Sequence, residues 1–138
     1  MTRGAAAALA ALALAGAASA CGSEAADLFL VTRSGSIPGA RVTVRVTDDG
    51  RASCNRGPLV DISSAQLIAA RELERDLVDP AERRLRLPPR PGSVLSYRVR
   101  TEDGTVAWSD TSRRQPKVLF RVAELTREVA KADCHLAR

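Results

Sequence analysis

Residues 40–47 read ARVTVRVT, and their alternation decides how the rest of the chain is read. Val42, Val44 and Val46 share one face of an extended segment, while Thr43, Arg45 and Thr47 share the other. That is the period-two pattern of a half-buried antiparallel strand. Working outward, DLFLVTR (27–33) alternates well enough for a preceding strand, and SGSIPG (34–39) supplies a loop with two glycines and a proline. The two segments predict an antiparallel hairpin. Asp48-Asp49-Gly50 is a second turn signal leading into a short return strand, RASC, which carries Cys54; NRGP then breaks the chain. Further on, VLSYRVRT (94–101) places Leu95, Tyr97 and Val99 on one side and Ser96, Arg98 and Arg100 on the other. Asp103-Gly104 is a short hairpin signal, and TVAWS (105–109) returns antiparallel.

Two helices fit between and after these strands. Ser63 with Gln66 three residues later makes a capping box, with Asp61 just ahead. Leu67, Ala70, Leu73 or Glu74, and Leu77 then recur at helical spacing, and Asp79-Pro80 is expected to stop the helix. Residues 79–93, proline-rich and basic, read as a surface connection; Arg83, Arg84, Arg86 and Arg90 suit either a solvated loop or contact with anionic headgroups. Pro116 opens a last helix, whose apolar stripe is Val118, Val122, Leu125, Val129 and Ala132. The pattern is hairpin, helix, hairpin, helix. It predicts an α+β fold in two layers: a four-stranded, mainly antiparallel sheet with two helices on one face, in the order ββαββα.

The N-terminus gives an address. Residues 1–20 hold one charge, Arg3, followed by AAAALAALALAGAASA, too short and alanine-weighted for a comfortable membrane span. They read as a signal peptide, with 21–26 a tether and 27–138 a single domain. The expected location is the outer face of the cell membrane, or secretion. Of the three cysteines, Cys54 and Cys134 lie near the ends of predicted elements. In an oxidising compartment they pair or remain two buried thiols; paired, they would close a loop of about 80 residues and add roughly 4–5 kcal/mol in the chain-entropy model. Cys21 is the odd one out. Ala18-Ser19-Ala20-Cys21-Gly22 is similar to the lipobox of bacterial lipoproteins, which implies a membrane partner through lipid on Cys21. Ala18 stands where that motif usually has leucine, and ASA also suits an ordinary signal peptidase.

Composition narrows the function further. Without residues 1–20 the net charge falls from +5 to about +4, because Arg3 goes with them. Lys117 and Lys131 are the only lysines, a bias expected of a GC-rich genome, so the arginines do not argue for nucleic acid and none is expected as a partner. His135 is the single histidine, and no H-E-x-x-H, paired C-x-x-C or calcium-loop pattern occurs. Ser36 lies in GSIPG, which lacks the G-x-S-x-G arrangement of a nucleophile elbow. Asp48 with Asp49, and Glu102 with Asp103, are turn residues. No catalytic residue, metal or cofactor is therefore expected, and the chain is read as a non-enzyme. Tyr97 and Trp108, if paired across the second hairpin, are expected to fill core or cover an edge rather than stack on a ligand.

Three stretches taken together resemble the emfourin family, small bacterial inhibitors of thermolysin-like metalloproteases. They are Arg33-Ser34-Gly35-Ser36 through Gly39, then Tyr97-Arg98-Val99-Arg100-Thr101-Glu102-Asp103-Gly104, and finally Ser109-Asp110 followed by Pro116 and a terminal helix. The correspondence runs over residues 27–132 in order and spacing. The chain differs in its export signal, its cysteine pair and its longer segment at 79–93. The resemblance implies a secreted metalloprotease as partner, covered by a rigid loop. Ser34, Gly35, Ser36, Ile37, Pro38 and Gly39 are the candidate loop, with Ile37 either its apolar anchor or a cap on the hairpin end. The competing class is an envelope lipoprotein with a structural or ligand-binding role and no inhibitory activity.

The leader makes one direct prediction. Metabolic labelling with a fatty-acid analogue is expected to mark the wild-type chain and not Cys21→Ala; equal labelling of both would refute lipidation at that sulfur.

Overall fold

A computed structural model describes residues 22–137, so the signal-peptide reading of 1–20 and the lipidation reading of Cys21 lie outside the described residues. The order is β1 (Asp27–Gly35), β2 (Val42–Thr47), β3 (Arg51–Cys54), β4 (Val60–Asp61), α1 (Ser64–Glu82), β5 (Leu95–Arg100), β6 (Thr105–Ser109) and α2 (Lys117–Glu128), which continues into one π turn, Val129–Asp133. The fold is α+β with two helices, as expected. The sheet has six strands rather than four, in the spatial order β4-β3-β2-β1-β5-β6, and every paired strand is antiparallel.

Both extra strands stand on the β2 side. RASC forms β3 as read, pairing Val44 with Cys54 and Val46 with Ala52. Asn55 and Arg56 then take positive φ and reverse the chain, which brings Val60-Asp61 back against Arg51 and Ala52. A two-residue strand has no periodicity to read, which is why β4 and the order ββββαββα escaped the pattern.

The register aligns the buried residues into rows. Cys54, Val44, Val31, Val99 and Val106 are successive partners across five strands, and all are buried. Val60, Ala52, Val46 and Phe29 make a second row. Leu73, Leu77, Leu119 and Val122 from the helices join the same core. Each valine taken fully out of water contributes about 1.5–3 kcal/mol.

The capping box forms as predicted: the Gln66 N–H donates to Ser63 Oγ at 3.1 Å, and the Ser63 N–H donates to Gln66 Oε1 at 2.7 Å. The expected stop at Asp79-Pro80 does not hold, for α1 runs on to Glu82. Pro80 and Ala81 are buried there, and Ala81 lies directly under Gly104 of the β5–β6 turn. Burial against that turn outweighs the propensity of proline to end a helix. The stripe on α2 also changes at its end. The π turn lets the Cys134 N–H reach the Val129 carbonyl at 3.0 Å, which shifts the helical phase. Ala130 is buried in place of Ala132, which is exposed.

The 79–93 segment is more than a connection. Leu85 and Leu87 exchange hydrogen bonds with Ala107 at 3.0 and 2.9 Å, placing Arg86 opposite Ala107 on the outer edge of β6. Of its four arginines, Arg86 is the one this pairing sets on that edge. Arg83 turns back to Asp79 at 2.7 Å.

Cys54 and Cys134 are bonded, 80 residues apart in sequence, and tie the end of β3 to the turn after α2. Replacing both with serine is expected to cost about 2–5 kcal/mol, read as a lower midpoint in urea unfolding. An unchanged midpoint would remove the bond from the account of stability.

Candidate interaction site

The predicted loop is shorter at its start than the sequence suggested. Ser34 and Gly35 are strand residues, paired with Ser96 and Leu95 of β5. Ser36, Ile37, Pro38 and Gly39 make the reversal proper, and Ala40 and Arg41 lead into β2. Two features fix its shape. Gly35 packs so closely on β5 that a Cβ there would overlap the Val94 carbonyl oxygen, and the Ser36 N–H donates to that oxygen at 3.1 Å. Gly39 takes φ +73°, a conformation glycine adopts without the strain a side chain would bring.

The loop is held from inside by a residue that the sequence reading set where strand meets loop, without a role. Arg33 sits on the helix-facing side of β1 between Val42 and Tyr97, in a third row that ends at Trp108. It is 4% exposed. Its Nε donates to the Ala40 carbonyl at 2.8 Å and its Nη2 to the Gly39 carbonyl at 3.1 Å. A buried cation is costly unless hydrogen-bonded, so the guanidinium and the turn require each other. Beside it, Tyr97 stacks on Trp108 with ring centroids 5.1 Å apart, pairing them across the β5–β6 hairpin. Burial pushes the Tyr97 phenol up, with Arg33 acting in the opposite sense.

Against this loop lies a groove of about 270 Å³. Ile37, Ala40, Leu95 and Ala137 give it apolar walls, and Arg127 and Lys131, one turn apart on α2 and the π turn, add positive charge. Neither of these two cations forms an ion pair among the described residues. Ile37 is half-buried at this edge, so it both closes the hairpin end and faces the groove. The disulfide helps to fix the far wall, because Cys134 directly follows the π turn that carries Lys131.

The remaining candidates do not assemble into reactive groups. Asp48 pairs with Arg71 at 3.0 Å, and Asp49 with Arg51 at 2.6 Å. The Arg51 guanidinium and then the Thr47 hydroxyl hold the Asp49 carboxyl below its usual range, the wrong direction for a general acid. Glu102 and Asp103 are exposed in the β5–β6 turn, and His135 is exposed beyond the π turn. Among the described residues no group of three or more His, Cys, Asp or Glu could hold a metal ion, and no helix is long and apolar enough to cross a membrane. No family model, curated protein or solved structure matches the chain.

The clamp is directly testable. Arg33→Met is expected to leave the Gly39 and Ala40 carbonyls without their donors and to cost about 1–3 kcal/mol. Amide exchange at Ser36 and Ala40 should then rise well beyond that of the β1–β2 ladder. Equal protection in both proteins would show that the loop holds itself.

Proposed function

We propose that the protein is an exported, lipid-anchored bacterial envelope protein whose domain is a binding module, and that loop 34–39 with its groove is the contact surface. The supporting observation is the Arg33 clamp. A loop fixed by two internal hydrogen bonds loses little freedom on binding, so less of the contact energy is spent on ordering it.

The position of the loop agrees with this reading. β1 begins at Asp27, next to the tether, and ends at Gly35, next to the loop. Nine residues at about 3.4 Å each put the two roughly 30 Å apart. A lipid on Cys21 would hold one end at the membrane and leave the loop facing outward. Glu24 bonds Arg45 at 2.8 Å and the Ala26 carbonyl accepts from Asp48 at 2.9 Å, so the domain would stand close to its anchor.

Within this class, the resemblance to emfourins names a thermolysin-like metalloprotease as the partner. Ile37 is then the side chain that enters the protease cleft, and Arg127 and Lys131 meet acidic residues on its rim. A non-inhibitory envelope lipoprotein is the alternative, and the open face of the sheet offers it a ligand site.

Inhibition assays decide between them. The full chain, solubilised in a non-ionic detergent, is expected to inhibit at least one thermolysin-like protease at micromolar concentration, within a panel that includes any encoded by the same genome. Ile37→Asp should weaken that inhibition by about tenfold or more. No inhibition across the panel would leave the non-inhibitory lipoprotein as the function.

A further inference from the structure

The face of the sheet away from the helices has its own order. Thr43, Thr32, Arg98, Ala107 and Arg86 are successive neighbours across it, and Ser34, Ser96 and Ser109 form the next row. Around them lies an open cleft of about 420 Å³, within the size range of small-molecule sites. Ala107 is its small floor. Arg98 stands one strand to one side of it and Arg86 one strand to the other, so the two arginines start about 10 Å apart. Side chains from these positions can close on one group between them.

Two features bear on how available this pair is to a ligand. Arg45, on the same face, is neutralised by Asp27 at 2.6 Å and Glu24 at 2.8 Å. Arg86 and Arg98 form no ion pair among the described residues, and no carboxylate lines their cleft. The wall on the Arg86 side is fixed as well. Leu87 is bonded to Ala107, and the Ser112 hydroxyl accepts from the Ser109 N–H at 2.9 Å while lying 3.1 and 3.0 Å from the Leu87 and Pro88 carbonyls. Thr111 holds both the N–H and the carbonyl of Arg90, at 2.9 and 3.0 Å.

We propose that this cleft binds a soluble phosphate ester, gripped between Arg86 and Arg98 with its hydroxyl-bearing part over Thr32, Ser34 and Ser96. Two guanidinia carry ten N–H donors, more than the two oxygens of a carboxylate can use. A phosphate monoester presents three strong acceptor oxygens and about −1.5 to −2 charge, matching a pair of forked cations. The neighbouring hydroxyls both donate and accept, which suits a polyol or sugar. The site is separate from the loop and groove of the proposed contact surface, on the other face of the sheet.

The test is calorimetric titration of the detergent-solubilised full chain at low ionic strength with glycerol phosphate, inorganic phosphate and glycerol, and separately with phosphatidylglycerol vesicles. Glycerol phosphate is expected to bind saturably in the millimolar range or tighter, more strongly than inorganic phosphate, and glycerol not at all. Arg98→Gln and Arg86→Gln should each weaken binding by about tenfold, while Arg75→Gln, on α1, leaves it unchanged. All three side chains are exposed, and matching circular dichroism would establish that the variants fold. The proposal is overturned if glycerol phosphate does not bind, if Arg75→Gln weakens it as much as Arg98→Gln, or if only the vesicles bind.

Discussion

Everything in this domain is referred to one buried row: Cys54, Val44, Val31, Val99 and Val106, side by side across five strands. Because side chains alternate along a strand, fixing which residues enter that row fixes every other position. Two residues further along β1, the same face presents Arg33. One residue away, the opposite face presents Thr32 and, next to it, Arg98. The loop clamp and the open-face cleft are thus consequences of one register. A slip of a single residue would bring Arg45 and Arg98 into the core and send the valines into water, so hydrophobic burial enforces the register strongly. The row also ends on Cys54, so the covalent tie to the π turn is anchored in the best-determined part of the sheet.

Much of this was legible because its causes are local. The alternation in ARVTVRVT, the reversal after it and the Ser63–Gln66 box each draw on residues within a few positions of one another. What was not legible depends on residues far apart. No pattern in DLFLVTR or VLSYRVRT says that β1 and β5 meet, yet that pairing makes one sheet of two hairpins and presses Gly35 against Val94. Pro80 announces a helix end, and only Ala81 packed beneath Gly104 overrides it. In the same way the phase change that buries Ala130 follows from a π turn, whose stop lies at the disulfide. Arg33 is the instructive case. As the last residue of DLFLVTR and the first of the loop stretch, it carried no signal of its own. Its role comes from the carbonyls of Gly39 and Ala40, which fold back over it.

Charge is distributed unevenly over this frame. Carboxylates collect near the start of β1, where Glu24, Asp27, Asp48 and Asp49 all have arginine partners. Glu74 on α1 feels the same crowding: burial, then Asp48, Asp103 and Glu102, push its carboxyl up. On the groove and on the open face, by contrast, Arg127, Lys131, Arg86 and Arg98 have no acidic partner among the described residues. Surface ion pairs contribute little stability, so leaving these four unpaired costs the fold little. It leaves their charge available for an external anion, which is the common element in both binding proposals.

The disulfide links this arrangement to the compartment proposed for the chain. The bond joins β3 to the turn after α2, while the pairing of β1 with β2 and β5 rests on the valine row. Its particular effect is to hold the π turn, and with it Lys131 and the wall of the groove, against the sheet. A thiol pair in a reducing environment would leave that wall dependent on the burial of Val129 and Ala130. The bond therefore bears on the geometry of the contact surface as well as on the stability of the fold. In the envelope location we propose, the cysteine pair and the leader would then serve one arrangement.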